Sequence, residues 1–277
     1  MKISHLSELQ AFLQSEGLTL KKHSSQNFLI DSNIVRKIVR ESEVAAGDTV
    51  IEIGPGAGAL TEGLLEGGAH VIAIEKDPQF ADTLIRLQTE DHRLQVIKAD
   101  ILECPIEELL STLKTKVKVV ANLPYHITTP ILEKFVPLHD KISTMTLMVQ
   151  KEVGDRFVAK KNTKSYSSFT IFLEYYCDMQ YLFTVEPSCF HPKPSVQSCV
   201  VQFCLKSPTV PVNESEFFPF VRAAFQQRRK MLRSSLRKLF TPAEVVSALQ
   251  ALSFEETARP EQLSLGDFIN LYKKIRP

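Results

Sequence analysis

Short apolar runs alternate with stretches of helical spacing through the first two thirds of the chain. Residues 31–44 carry apolar side chains three and four positions apart, behind an Asp31 that is placed to cap a helix. Residues 49–53 then form a short apolar run that ends at a cluster of glycines. Similar runs, which we predict as strands, occupy residues 70–75, 94–99, 117–121 and 145–149. Strands that alternate with helices pair in parallel, so the pattern predicts a doubly wound, Rossmann-like α/β sheet.

The period of the pattern changes toward the end of the chain. Residues 181–185 and 196–203 are predicted to close the sheet as an antiparallel pair. Beyond Lys206 the spacing is helical throughout, over residues 214–226, 230–240, 242–252 and 264–275. We therefore predict that residues 1–205 hold the α/β sheet and that residues 206–277 form a small helical domain.

Composition limits the class of protein. A chain of 277 residues with 44% hydrophobic content can bury a sizeable core. It has no run of 18 apolar residues and no signal-peptide centre near its N-terminus, so a soluble, cytoplasmic protein without membrane contact is expected. The five cysteines include no Cys-x-x-Cys pair, which argues against disulfides and zinc. We expect reduced thiols and no metal.

The net charge of +1 hides an uneven distribution. Residues 206–277 contain twelve Lys/Arg and seven Asp/Glu, a surplus of five, which leaves −4 for the preceding residues. The surplus concentrates in residues 220–240, which contain no acidic residue. A solvated helix face is the alternative, but such faces usually mix both signs. The block indicates contact with a polyanion such as nucleic acid. Its cations include Arg222, Arg228, Arg229, Lys230 and Arg233.

Three glycines and two carboxylates follow successive predicted strands. Gly54, Gly56 and Gly58 come directly after the first strand, and Glu75 and Asp100 end the next two. Ligands of open α/β sheets bind at the carboxyl ends of strands, where Glu75 can accept ribose hydroxyls and Asp100 an adenine amino group. Either carboxylate alone could be an ordinary strand-end cap. Their joint placement predicts a nucleoside cofactor.

The spacing of the glycines indicates which cofactor. A dinucleotide fingerprint reads Gly-x-Gly-x-x-Gly, which brings a helix N-terminus to a pyrophosphate. Here the spacing is Gly-x-Gly-x-Gly, with Pro55 inserted and Glu52 two residues before the first glycine. That arrangement implies no phosphate. It favours S-adenosylmethionine over the cofactor of a dehydrogenase.

The tetrapeptide Asn122-Leu123-Pro124-Tyr125 suits an amino group on a flat base. The lone pair of an exocyclic amine is delocalised into the ring, so activating it calls for acceptors on its N–H bonds, which an Asn carboxamide beside a backbone carbonyl supplies. Pro124 favours an extended Leu123, and the Tyr125 ring offers a stacking face. The tetrapeptide predicts an adenine N-methylation site.

Taken together, the motifs resemble the bacterial ribosomal RNA adenine dimethyltransferases, which dimethylate two adjacent adenosines near the 3′ end of small-subunit rRNA. The resemblance covers essentially the whole chain. The matching motifs are Gln26-Asn27-Phe28-Leu29, residues 52–61, Glu75-Lys76-Asp77, Asp100-Ile101-Leu102, Asn122–Tyr125, residues 190–196 and residues 228–233. Ser25 and Gln197 depart from the usual Gly and Asp of this family.

The resemblance implies roles for individual residues. Asn27 and Leu29 would join Gly54, Glu75 and Asp100 in the cofactor site. Asn122 would bridge the methionine moiety and the target amine, and Phe190 would lie on the base opposite Tyr125. An aromatic residue such as Phe190 is more often part of a core, but a Phe in a proline-flanked loop has little core to join. The basic block would contact rRNA.

Two alternatives remain beside a monomeric enzyme that acts on small-subunit rRNA within a pre-30S particle. One is the related family that methylates large-subunit rRNA and confers macrolide resistance. The segment at residues 228–233 resembles the small-subunit enzymes instead. The other is a non-enzymatic ribosome-assembly factor on the same fold. The intact set of Gly54, Glu75, Asp100, Asn122 and Tyr125 argues against it.

Overall fold

The fold is built on a mixed sheet and is described by a computed structural model for residues 3–18, 27–88, 92–124, 127–227 and 229–276. Its strands are β1 Phe28–Leu29, β2 Thr49–Ile53, β3 His70–Glu75, β4 Leu94–Lys98, β5 Val117–Asn122, β6 Ile142–Gln150, β7 Cys177–Val185, β8 Phe190–His191 and β9 Ser198–Leu205. Its helices are α1 Leu6–Ser15, α2 Ser32–Glu41, α3 Ala59–Glu66, α4 Pro78–Thr83, α5 Ile106–Ser111, α6 Thr128–Phe135, α7 Lys151–Phe157, α8 Ser168–Tyr176, α9 Glu214–Phe225, α10 Leu232–Ser235, α11 Pro242–Ala251 and α12 Leu265–Ile275.

Seven strands form the main sheet in the order β4-β3-β2-β5-β6-β9-β7. The pairs from β4 to β6 are parallel, and β9 is antiparallel to β6. The chain runs outward from β2 through β3 to β4, and then returns to place β5 on the other side of β2. The strand order therefore reverses at β2, which is where open α/β sheets bind ligands. The predicted doubly wound sheet is confirmed.

Local sequence explains why these elements form where they do. Asp31 caps α2 as predicted, because its carboxylate accepts the backbone N–H groups of Asn33 at 2.8 Å and Ile34 at 3.3 Å. Apolar residues of α2 and α3 then pack with the sheet strands into one buried cluster. Strand β7 begins earlier than predicted, at Cys177, because its first residues alternate in exposure instead of forming an apolar run.

The chain divides into two compact units, and the division differs from the prediction in one segment. Residues 155–179 belong to the second unit instead of the first. The first unit comprises Met1–Gly154 and Gln180–Lys206, and the second comprises Asp155–Met179 and Ser207–Pro277. Helix α8 belongs to the second unit because its aromatic side chains pack on α9: the Phe172 and Phe218 ring centroids lie 5.1 Å apart. The Tyr176 hydroxyl also donates to Glu214 at 2.6 Å.

Helices α9, α11 and α12 confirm three of the predicted helices of the second unit. The prediction of a helix over residues 230–240 is wrong. Only Leu232–Ser235 is helical there, followed by turns. Arg229, Arg233 and Arg237 recur at intervals of four, and like charges at that spacing destabilise a continuous helix. Among the described residues, no helix is long and apolar enough to cross a membrane.

Candidate active site

A cleft opens at the switch point, beside the carboxyl ends of β2, β3 and β5. It brings together most of the predicted cofactor residues, namely Asn27, Leu29, Gly54, Gly56, Glu75 and Asn122. Gly58, Asp100 and Phe190 are not among the residues that line it. Tyr125 and Ser25 lie outside the described residues, as does Arg228.

The glycine turn depends on backbone angles that favour glycine. Gly54, Gly56 and Gly58 have φ of 65°, 55° and 90°. A Cβ on Gly54 would meet nothing within 4 Å, whereas one on Gly56 would lie 3.0 Å from the Phe28 ring. A Cβ on Gly58 would lie 2.9 Å from Leu84, on the side of the protein core. Gly54 and Gly56 thus shape the cleft, and Gly58 lets the turn pack closely against the protein core.

Glu75 fixes the turn from the neighbouring strand. Its carboxylate accepts the Gly56 N–H at 3.0 Å and the Asp77 N–H at 2.8 Å. Burial raises the pKa of Glu75 above its ordinary value. The carboxylate that lines the cleft is therefore also the group that holds the glycine turn in place.

Arg86 holds the glycine turn through the Ala57 carbonyl, and it was not identified as a site residue from the sequence. Its guanidinium donates to the carbonyls of Ala57 at 2.5 Å and Thr83 at 2.7 Å, and it lies 4.3 Å from the centre of the Phe12 ring. Burial lowers the pKa of Arg86. No local motif marks this residue, because its partners come from three separate segments.

Asp100 lies at the end of β4 and is paired with a lysine. The Lys76 ammonium donates to Asp100 Oδ2 at 2.7 Å, and the Leu102 N–H donates to Oδ1 at 2.9 Å. The Lys76 hydrogen bond, more than any other contact, lowers the pKa of Asp100. Lys76 is 77% exposed, so the pair lies at the surface. A cation directly after Glu75 was the signal in the sequence for this partner.

Asn122 is oriented by the chain segment that precedes β1. Its Nδ2 donates to the Asn27 carbonyl at 3.1 Å. A carboxamide has one NH₂ group and one acceptor oxygen, so this bond fixes which end is Oδ1. The next residue, Leu123, is buried, and its N–H donates to the Met148 carbonyl at 3.1 Å. These bonds hold the start of the Asn-Leu-Pro-Tyr motif from both sides.

Phe190 lies in a small strand pair that joins the Asn27 segment to the proline-rich loop. Strands β1 and β8 are antiparallel, with Leu29 opposite Phe190, and the Ile30 N–H donates to the Cys189 carbonyl at 2.8 Å. The Phe190 side chain is 3% exposed and belongs to the same buried cluster as Leu29 and Val35. The expectation that Phe190 has little core to join is wrong, because β1 brings a core to it.

Glu52 also lines the cleft. A carboxyl inside a mostly apolar strand was the feature of the sequence that could have identified it as a site residue. It is 1% exposed and lines the cleft beside Gly54. Within the described part of the chain, its Oε2 accepts no hydrogen bond. Burial raises the pKa of Glu52 to about 8, and the Glu75 carboxylate acts in the same direction. A buried carboxyl of this kind favours a cationic ligand.

The predicted RNA-contact residues lie in the second unit, with Arg222 in the last turn of α9. Arg222, Arg229 and Lys230 are exposed, whereas Arg233 pairs with Glu256 at 3.2 Å. Lys230, Arg233 and Arg237 line one surface groove together with neutral residues. Three cations of the basic segment therefore converge on a single groove.

A mostly parallel sheet with a glycine turn and an acidic strand end at its switch point defines a Rossmann-like methyltransferase fold. The sequence model of the family described as ribosomal RNA adenine dimethylase matches residues 17–276, and the chain belongs to that family. It is therefore an rRNA adenine dimethyltransferase that uses S-adenosylmethionine.

Individual relatives agree with this assignment. The chain is 49% identical to the ribosomal RNA small subunit methyltransferase A of Protochlamydia amoebophila, over 99% of this chain and 98% of that protein. It is 43% identical to the protein of the same name from Chlamydia muridarum, over 100% and 99%. A dimethyladenosine transferase from Plasmodium falciparum has a similar structure, with a TM-score of 0.75 and 25% identity over 89% and 98% of the two chains. The 23S rRNA methyltransferase ErmE shares the fold, with a TM-score of 0.70 and 22% identity over 91% and 100%.

The raised pKa of Glu52 predicts a specific dependence of stability on pH. Between 4.5, its ordinary value, and about 8, the unfolded chain ionises this group while the folded chain keeps it protonated, so the free energy of unfolding falls as pH rises. Glu52→Gln removes this loss. At pH 8 the variant should melt at least about 2–4 °C above the wild type, the shift that about 1 kcal/mol produces.

The difference in melting temperature should shrink toward zero as the pH falls to 4.5 and below, because the unfolded chain then also protonates Glu52. The exposed Glu107→Gln is the control and should follow the wild type at both values of pH. Parallel melting curves for wild type and Glu52→Gln across this range would contradict a protonated Glu52.

Proposed function

We propose that this enzyme dimethylates N6 of two adjacent adenosines near the 3′ end of small-subunit rRNA. The observation that carries the proposal is the Asn122 carboxamide, fixed by the Asn27 carbonyl at 3.1 Å, beside a cleft that contains a glycine turn and two buried carboxyls. The relatives at 43–49% identity carry the name small subunit methyltransferase, which favours this substrate over large-subunit rRNA.

The chain would activate the adenine amine by accepting its N–H bonds. Because Asn122 Nδ2 is bonded to Asn27, Oδ1 remains to accept one N–H of the amine. The carbonyl of Leu123 or Pro124 would accept the other. Both acceptors belong to a segment tied to β6 through the Leu123 N–H, so they are positioned before the base arrives. Most of the rate enhancement would come from this preorganisation.

The cofactor would be held by groups that favour its charge and its ribose. S-adenosylmethionine, when bound, supplies an electrophilic methyl group. Glu75 would accept the ribose hydroxyls, and Gly54 and Gly56 allow close approach of the backbone. Glu52 and Glu75 are carboxyls whose pKa values are raised by burial, so a cation in the cleft would stabilise their ionised forms. Asn27 and Leu29 would close the same cleft, with Asp100 at the adenine.

The target base would leave its stack to reach Asn122. Extrusion costs a few kcal/mol, and stacking on an aromatic ring returns about 1–3 kcal/mol. We place the first contact on Tyr125. Phe190 is packed in a core in this structure, so a base can meet its ring only after β8 shifts. The substrate would be rRNA within a pre-30S particle in the cytoplasm, and the enzyme would act as a monomer.

Asn122→Ala tests the proposed chemistry. Losing one preorganised polar contact should lower methyl transfer at least about a hundredfold, while rRNA affinity changes little. Single-turnover transfer to small-subunit particles and filter binding measure the two quantities. Asn270→Ala, on the exposed side of α12, is the matched control and should be fully active. Near-normal transfer by Asn122→Ala would exclude this residue from the mechanism.

Phe190→Leu separates stacking from core packing. Leu fills most of the core volume but has no aromatic face, so a stacking role predicts a melting temperature close to that of the wild type and a fall in kcat/KM of about ten- to hundredfold. Phe190→Tyr should retain most of the activity. A fully active Phe190→Leu would show that the ring serves only the core.

The basic segment at residues 220–240 predicts an effect of salt on rRNA binding. Arg229, Lys230 and Arg237 are exposed, so replacing all three with Ala should weaken binding to small-subunit particles and flatten the slope of log K against log salt by about 0.7–0.9 per lost contact. Lys273→Ala with Lys274→Ala removes charge from α12 of the same unit and is the control. An unchanged slope in a triple variant that melts normally would refute phosphate contact here.

A further inference from the structure

Lys134 makes an unusual set of contacts near the end of α6, the helix that follows the Asn-Leu-Pro-Tyr motif. Its ammonium donates to three backbone carbonyls, those of Ile101 at 3.0 Å, Leu102 at 2.9 Å and Cys104 at 2.7 Å. A lysine ammonium has three N–H donors, so this one loop can use all of them. Hydrogen bonds from a charged donor are stronger than neutral ones.

The loop that Lys134 binds is a tight turn directly after β4. The Asp100 carbonyl accepts the N–H groups of Glu103 at 3.0 Å and Cys104 at 2.8 Å, which folds residues 100–104 back on themselves. The turn directs several carbonyls toward one point, and a cation there is favourable, as it is at the end of a helix. Ile101 and Cys104 are buried and anchor the turn to the core. Lys134 therefore fixes the backbone of this turn.

The turn carries the carboxylate expected at the cofactor adenine. Asp100 Oδ1 accepts the Leu102 N–H at 2.9 Å, so the orientation of the Asp100 side chain depends on the backbone that Lys134 holds. Lys76, by contrast, binds the Asp100 carboxylate itself and is mostly exposed. Lys134 thus links the turn after β4 to the helix after Asn122.

We propose that Lys134 is a positioning residue for the cofactor, which holds the turn at residues 100–104 in the conformation that places Asp100 against the adenine of S-adenosylmethionine. The inference rests on the proposed contact of Asp100 with that adenine. Lys134 acts through the turn and touches neither the reacting amine nor the methyl group. Its loss should consequently change cofactor affinity and leave the chemical step intact.

The test compares Lys134→Met, which keeps the length of the side chain without its charge, with Lys134→Arg, which keeps charge and donors. We expect Lys134→Met to raise the Kd and KM for S-adenosylmethionine about tenfold or more, with kcat at saturating cofactor within about twofold of wild type. Lys134→Arg should recover most of the affinity. Should Lys134→Met not fold, Lys134→Gln keeps one donor group without charge and serves in its place.

The matched control is Lys116→Met, since Lys116 donates to a single backbone carbonyl, that of His139, at 2.8 Å. It should bind cofactor as the wild type does. A lower melting temperature with unchanged Kd in Lys134→Met would assign Lys134 to stability alone and overturn the inference. A fall in kcat at unchanged KM would also overturn it.

Asp100→Ala and the double variant Asp100→Ala with Lys134→Met distinguish this inference from the proposed role of Asp100 on which it rests. If Lys134 acts through Asp100, the double variant should bind cofactor about as weakly as the weaker single variant, because both changes disable one contact. Multiplying effects would overturn the inference while leaving Asp100 in the site. Normal cofactor binding by Asp100→Ala, which has no acceptor, would remove Asp100 from the site and overturn the inference with it.

Discussion

The position of β2 between β3 and β5 is the constraint on which the site depends. Parallel neighbours bring three carboxyl ends to one edge, and each end contributes a different group: the glycine turn, Glu75 and Asn122. The registers keep these ends level, with Ile53 opposite both Ile74 and Ala121. Groups that lie far apart in the chain therefore face one cleft.

The segment at residues 27–30 joins the parts of the site that the sheet alone does not hold. Its Asn27 carbonyl orients Asn122, and its two-residue strand pairs with the segment that contains Phe190. The Phe28 ring lies against the Gly56 turn, where an added Cβ would come within 3.0 Å. A shift of this short segment would therefore disturb the amide, the glycine turn and the proline-rich loop together.

The sequence predicted the parts of the molecule that follow from local pattern. Strand periodicity identified β2 and β3, and the spacing of glycines identified the turn that follows β2. The order of motifs identified the family. Contacts between segments that are distant in the chain could not be predicted from the sequence. The partners of Asn122 and Phe190 are determined by tertiary packing, and the pKa of Glu52 is determined by burial. The expected helix at residues 230–240 failed because helical spacing of apolar residues was weighed without the repulsion between arginines on one face.

The second unit is discontinuous along the chain, since residues 155–179 come before β9 and the rest of the unit comes after it. During synthesis, α8 emerges with Phe172, Tyr175 and Tyr176 well before α9, the helix that receives these rings, has been made. Until α9 has been made, the aromatic face of α8 stays exposed and makes the nascent chain prone to aggregation. A shortened chain that stops after β9 would make that exposure permanent, so the helical unit cannot be removed as a tail.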